Sequence, residues 1–360
     1  MKKVFISDCE GPISKNDNAF EITSHFVPNG DKLFAVISRY DDVLADVIKK
    51  LGYKAGYTLK LILPFLKAYD VTDQKMREFS AQNLILIPNV KDTLQYVRKI
   101  AHAFIVSTSY EHYIEALCQA INFPYENTYC TKVNIDKYHM TAGEKNSLKG
   151  LAREIRQMPV VEMPSGAKSL NDFSEECRKI IRRLGEIFWK EIANMESGKI
   201  FYEVNPVGGE WKADAVKDAA ERAGADLSSV MYVGDSITDV EVFKLVKEDN
   251  GLTVSFNGNQ YAVRNAEIAV LSENSIATAI VADAFCTFGK RETLSLMENW
   301  SREALKKAHV SQTLLNRLFV LYPSELPKVK IITSENMEVL AKESSKFRKK
   351  VRGEAIGRLG

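Results

Sequence analysis

A chain of 360 residues is too long for one small domain and matches two or three modules of about 100–200 residues each. Its composition, 45% hydrophobic and 27% charged with 19 Gly and 10 Pro, excludes collagen-like, low-complexity and wholly disordered chains. Forty-nine Lys+Arg against 47 Asp+Glu leave +2, so no global field recruits nucleic acid or an anionic membrane. The five cysteines (9, 118, 130, 177, 286) form no CxxC pair and are odd in number, which reads as reduced, mostly buried thiols in a cytoplasmic protein. The amino-terminal apolar run, Val4–Ile6, is stopped by Asp8 and is no signal peptide. No stretch approaches the roughly 20 apolar residues that a membrane helix needs.

In chain order, residues 3–8 (KVFISD) read as a buried parallel strand with acidic residues at its carboxyl end. From 14 to 85 the apolar residues recur at three- and four-residue spacings, a helical block punctuated by Pro28-Asn29-Gly30 and Gly52. A helix near 90–101 precedes a strand at Ala103–Val106, and a second helix, 111–121, leads away from it. Residues 145–197 form another charge-laced helical block with a break from Pro159 to Gly166. Helix 213–224, strand Val230–Val233, helix 238–247, strand Leu252–Ser255 and a strand near Ile268–Val270 follow. Residues 290–360 read as helical, without a motif. The expected fold is α/β, a Rossmann-like doubly wound parallel sheet with an inserted α-helical cap and extra helical segments. Its parts are a core of 1–13, 86–144 and 198–289, a cap at 14–85, a helical insertion at 145–197 and a helical extension at 290–360.

Four features carry chemistry: Asp8-Cys9-Glu10-Gly11 after the first strand, Ser107-Thr108-Ser109 after AFIV, Lys212 after Gly208-Gly209, and Gly234-Asp235 through Asp239 after VMYV. In an open α/β sheet the carboxyl ends of adjacent strands converge on one crevice, so these features meet. Three carboxylates on one rim suit a hard cation with oxygen ligands, Mg²⁺ above all. A Lys and a Ser hydroxyl can hold phosphoryl oxygens, and an aspartate so placed can attack phosphorus in line. A second carboxyl two residues on enters the same crevice if the chain bends at Gly11, where it can protonate the leaving oxygen and then deprotonate water.

These motifs resemble those of the haloacid dehalogenase superfamily of phosphohydrolases, particularly its phosphoserine-phosphatase-like branch, over residues 3–12, 100–140 and 200–285. The segment FNGNQYAVRNAEIAV (256–270) adds to the likeness. The resemblance implies Asp8 as nucleophile, Glu10 as general acid/base whose backbone carbonyl ligates Mg²⁺, and Ser107 and Lys212 as phosphoryl-holding groups. It implies Asp8, Asp235 and Asp239 as the acids of the metal site, Asp239 directly or through water. The family's usual second acid is Asp; Glu10 departs from that and is similar to the Asp-x-Glu-Gly of the enolase-phosphatase branch.

The implied activity is Mg²⁺-dependent hydrolysis of a small phosphorylated metabolite through an aspartyl phosphate, with residues 14–85 as the closing cap. A phosphotransferase or mutase of the same superfamily, and a non-catalytic member that binds a phosphorylated ligand, are the alternatives. Neither nucleic acid nor membrane is expected as a partner, and homo-oligomerisation is left open. Lys212 should keep Asp8 ionised. Cys9 should point away from the crevice into packing. His112, one turn beyond the Ser107 loop, is the one histidine retained as a substrate contact. The cap aromatics should be mostly its own core, with two or three facing substrate. The basic cluster of the last twenty residues, including Arg348 and Arg352, reads as a solvated, partly frayed helical tail. The block 145–197 reads equally as a second lid element, a dimer contact or decoration.

Overall fold

The computed structural model describes residues 3–164 and 166–359. Seven strands form one sheet: β1 (Lys3–Ser7), β2 (Ala101–Tyr110), β3 (Thr128–Thr131), β4 (Val230–Gly234), β5 (Leu252–Phe256), β6 (Ile268–Leu271) and β7 (Lys328–Ile331). Their order is β3-β2-β1-β4-β5-β6-β7, parallel throughout except for β7, which pairs antiparallel with β6. The expected doubly wound sheet is therefore present.

Alternation along the strands divides its two faces. Val4, Ile6, Val230 and Tyr232 pack with Ala213, Val216 and Phe243 on one side. Phe5, Met231 and Val233 pack with Leu94, Leu117 and Val281 on the other. Both faces are covered, which explains why these strands are apolar almost throughout. β1 lies between β2 and β4, where the strand order reverses, so the chain leaves β1 and β4 toward a crevice at a topological switch point.

Residues 14–85 fold as helices Asn18–Phe26, Gly30–Asp42, Thr58–Ala68 and Asp73–Gln82, with a π-helical turn at Val43–Val47. Their exit is tied to their entry: Ser14 bridges Leu86, and the Lys15 N–H donates to the Ile85 carbonyl at 2.8 Å. The 145–197 block contributes helices Ala142–Ile155 and Glu175–Glu186 and a further π-helical turn, Ile187–Glu191. The two blocks share one apolar core, in which Leu33, Ile37, Leu61 and Phe65 pack with Leu148, Leu184 and Phe188. Tyr40 stacks on Phe188 at 5.8 Å between centroids, and Trp189 Nε1 donates to the Tyr40 hydroxyl at 3.1 Å. The second block is thus joined to the first, not a free decoration.

Two strands are additions to the sequence expectation. β3 is only four residues long and β7 lies inside the segment expected to be helical. β7 reads Lys-Val-Lys-Ile, with Val329 buried and both lysines exposed, a short half-covered edge strand of the kind that resists further pairing. No helix among the described residues is long and apolar enough to cross a membrane.

Candidate active site

Asp8 leaves β1 with its N–H donating to the Val233 carbonyl at 2.8 Å, which fixes it beside the end of β4. Asp235 follows β4 directly, and Asp239 closes the turn Ile237–Asp239. Asp8, Asp235 and Asp239 are all buried, and each offers an oxygen within 4.8 Å of the others. Gly11 bends the chain as expected, with φ +105, a conformation that a side chain would strain.

Lys212 stands in the first turn of helix Glu210–Arg222, on the same face as Ala213, Val216, Ala219 and Ala220. A lysine on the buried stripe of an amphipathic helix needs partners. It has two carboxylates, Asp8 Oδ2 at 2.8 Å and Asp239 Oδ1 at 2.6 Å, and a longer contact to Thr238 Oγ1 at 3.4 Å. Asp239 is fully engaged. Its Oδ1 also accepts the Tyr232 hydroxyl at 2.6 Å, and its Oδ2 accepts the backbone N–H groups of Asp235 and Ser236 at 2.8 and 2.9 Å. Tyr232 was not anticipated. Its signal is a phenol in an otherwise apolar strand, two residues before Gly-Asp.

Burial works against the charge of all three groups. In Asp239 it is overcome by Lys212 and the donated hydrogen bonds, which hold the carboxyl below its ordinary value. Burial pulls Lys212 down, but Asp239 and Asp8 outweigh it and hold the ammonium above the usual lysine range. Asp8 differs from expectation. Burial pushes it up to about 7, with Asp239 and Asp235 adding to the rise and Lys212 only partly opposing it. Burial, which favours the neutral acid, outweighs the one ammonium that Asp8 shares with Asp239.

Glu10 lines the same crevice, and its Oε1 accepts the Asn18 N–H at 2.7 Å. Burial, with Asp17 second, pushes this carboxyl well above the glutamate range, as a proton donor near neutrality requires. Cys9 between the two acids packs into the sheet core, as alternation predicts.

Ser107 to Ser109 lie within β2, not after it, where the register with β3 slips between Val106 and Tyr110. Such an irregularity re-aims side chains. Ser107 and Thr108 line the crevice; Ser107 Oγ accepts the Ser109 N–H at 3.2 Å and donates to Ser109 Oγ at 3.0 Å. The half-open cavity is about 100 Å³ and is lined on its other wall by Ser38, Asp41, Asp42 and Thr58 of the first helical block. Of the cap aromatics, Phe34 faces it, fewer than expected.

His112 does not reach the cavity. Helix Glu111–Ile121 turns it toward Asp73, with Nε2 and Oδ1 at 2.8 Å, so it is a buried packing histidine. The larger correction concerns the basic tail. Helix Met337–Arg352 is docked, and Arg348 and Arg352 are buried at 3% and 8% exposure. Both reach Asp235: Arg352 Nη1 lies 3.0 Å from Oδ2, and Arg348 Nη1 also pairs with that oxygen. A pattern that reads as a solvated face is in fact one wall of the site, because two of its cations find a buried carboxylate.

Residues 70–284 match the model of the haloacid dehalogenase-like hydrolases, more than half of the chain. The chain belongs to that family. The match begins after Asp8 and Glu10, and ends before the tail helix. A gene product of Archaeoglobus fulgidus has the same fold: 24% identity, TM-score 0.78, covering 100% of this haloacid dehalogenase-like chain and 99% of the other. A substrate-bound phosphoserine phosphatase complex is 12% identical with TM-score 0.46, covering 76% of this chain and 95% of that one. A phosphoserine phosphohydrolase-like protein from Francisella tularensis is 14% identical with TM-score 0.43, covering 78% and 100%. No curated protein matches the chain.

Proposed function

We propose that this haloacid dehalogenase-like hydrolase is a Mg²⁺-dependent phosphomonoesterase acting on a small phosphorylated metabolite through an aspartyl-phosphate intermediate. The observation that carries the reading is the meeting of Asp8, Asp235 and Asp239 around one buried lysine, at the switch point of the sheet.

The donor set suits a hard cation: carboxylate oxygens, no thiol and no imidazole. Asp8, Asp235 and the Glu10 backbone carbonyl would hold it. Asp239, with both oxygens engaged by the chain, holds Lys212 and the turn, and would serve the cation from outside its direct ligands. When bound, Mg²⁺ neutralises carboxylates and phosphoryl oxygens that would otherwise repel each other.

A carboxylate oxygen of Asp8 forms the bond to phosphorus as the ester P–O bond breaks, and the Glu10 carboxyl gives its proton to the departing oxygen. Glu10, now a carboxylate, takes a proton from water; the water oxygen bonds to phosphorus and the Asp8–phosphorus bond breaks. Phosphate and the starting carboxylate result. Lys212 and the Ser107 hydroxyl hold phosphoryl oxygens through both steps. The two helical blocks, sharing one core, act as a single cap that excludes water and admits only a small ester.

The test is phosphate release from a panel of small phosphate monoesters, with and without Mg²⁺, for the natural chain and Asp8→Asn. Metal-dependent release that is lost in the variant is expected. Release unaffected by the substitution, or none from any ester, would overturn the proposal.

A further inference from the structure

The tail helix lies outside the family match and brings its own chemistry to the cavity. Ser344 donates to the Gly258 carbonyl at 2.6 Å and sets the register of the helix over the Asp235 turn. Arg348 and Arg352, four residues apart, fall on one face.

The two guanidiniums are used differently. Arg352 is spent: Nε donates to the Lys15 carbonyl at 3.0 Å, Nη1 to Asp235 at 3.0 Å, and Nη2 to the Asn16 carbonyl. It is a clasp joining Asp235 to the segment that enters the first helical block. Arg348 uses one nitrogen, Nη1, for both the carboxylate and, at 3.3 Å, the carbonyl of Asp235. Its Nε is buried and has no partner among the described residues. Buried donors in folded proteins are nearly always matched, by protein, water or ligand. Nε and Nη2 together form the edge of the guanidinium that grips a carboxylate or phosphate with two parallel hydrogen bonds.

Arg348 lines the same cavity as Asp8 and Ser107. Among the described residues lining it, Arg348 and Arg352 are the cations, while the cap wall presents Asp41 and Asp42. An anionic group carried by the substrate beyond its ester phosphate finds its cationic partner on the tail helix, whereas on the cap wall Asp42 is already paired with Arg39 at 3.2 Å and Asp41 accepts the Gly56 and Thr58 N–H groups. With only about 100 Å³ beside Asp8 and Ser107, a group that reaches Arg348 while its ester phosphate sits there lies within a few bonds of the phosphorus.

We propose that Arg348 is a specificity-determining residue that binds a second anionic group, carboxylate or phosphate, two or three carbons from the ester phosphate. The inference rests on the phosphomonoesterase reading of the site and adds a substrate class to it.

The test uses non-hydrolysable probes titrated calorimetrically into the full chain with Mg²⁺: 3-phosphonopropionate, propane-1,3-diphosphonate and propylphosphonate. A fork hydrogen bond to a charged group should make at least one of the first two bind about tenfold or more tighter than propylphosphonate. Arg348→Gln should bring that ratio to within about twofold, and Arg348→Lys, which keeps the charge without the fork, should restore part of it. The ratio is the readout, because loss of the Asp235 contact weakens all three probes together. Preference for the carboxylate or the diphosphonate separates the two sources of the anion. Equal binding of the three probes, no binding of any, or a preference that survives Arg348→Gln overturns the proposal. Phosphate release from p-nitrophenyl phosphate, which has one anionic group, is measured alongside. Release without probe preference removes this inference and leaves the phosphatase; preference without release from any ester does the reverse.

Discussion

Gly11 and Asp235 approach so closely that a Cβ on Gly11 would overlap the Asp235 carboxylate. The contact joins the first acidic motif to the last and makes the absence of a side chain at position 11 part of the site. Gly11→Ala should therefore displace Asp235 as well as strain a backbone at φ +105. We expect a stability loss of about 1–3 kcal/mol and near-complete loss of phosphate release. Urea unfolding beside the activity assay checks both. Full activity in the alanine variant would mean that Asp235 is free to move.

Among the described residues Lys212 is the lysine in contact with Asp8 and Asp239, and it is wholly buried. Lys212→Met leaves its two carboxylates without their ammonium, which should cost about 3–5 kcal/mol. Activity should fall by about 10²–10³-fold or more, since a group aimed at phosphoryl charge is lost as well. Lys212→Arg should not restore it, because a planar fork cannot replace a point charge held at 2.6 and 2.8 Å by two carboxylates. Recovery in the arginine variant would show that charge alone is required.

Glu10 is assigned the proton of the leaving oxygen, so the need for it should depend on the ester. Glu10→Gln should lower turnover of alkyl phosphates by about 10²–10⁴-fold. With p-nitrophenyl phosphate, whose leaving group needs no proton, the first step should persist and the second should slow. Stopped-flow absorbance should then give a burst of p-nitrophenolate stoichiometric with enzyme, followed by slow release. Equal losses on both ester types with no burst would take the acid role away from Glu10.

The acids and Lys212 were legible because each follows an apolar run or a Gly-Gly turn, features that local sequence carries. The parallel core was legible for the same reason: strands such as VMYV are buried on both faces and read as unbroken apolar runs. Arg348 and Arg352 were not. In sequence they are two of several tail cations, and only docking over Asp235 distinguishes them from Lys349 or Lys350. β7 escaped notice because four alternating residues at an edge leave one buried valine as their signal. The misplacement of His112 came from counting helical turns without the direction of the helix, which points to Asp73. The ionisation of Asp8 differs from expectation because motif spacing shows the lysine but neither the burial of the carboxyl nor that Asp239 shares the ammonium.

Lys60 offers a test of the energetics of the first helical block that is separate from catalysis. It is 5% exposed, with Nζ 3.2 Å from the Phe201 carbonyl and 3.4 Å above the Tyr57 ring, and it bonds to no carboxylate among the described residues. Burial lowers its pKa to about 8, with Asp41 only partly opposing. A lysine in the unfolded chain titrates near 10.4. Between about 8 and about 10 the unfolded state binds a proton that the folded state has lost, so stability rises with pH across that window. Below it both states are protonated and the cost of burying the charge is present in full. Lys60→Met keeps the packing of the stem, so it should raise stability at pH 7 by about 1–3 kcal/mol and remove this part of the rise. Urea midpoints of both proteins between pH 7 and 10.5 decide it, with the difference between the two curves as the readout. Curves that run parallel across the range would mean that Lys60 is hydrated in the folded cap, and that the shared core of the two helical blocks admits water beside Phe201.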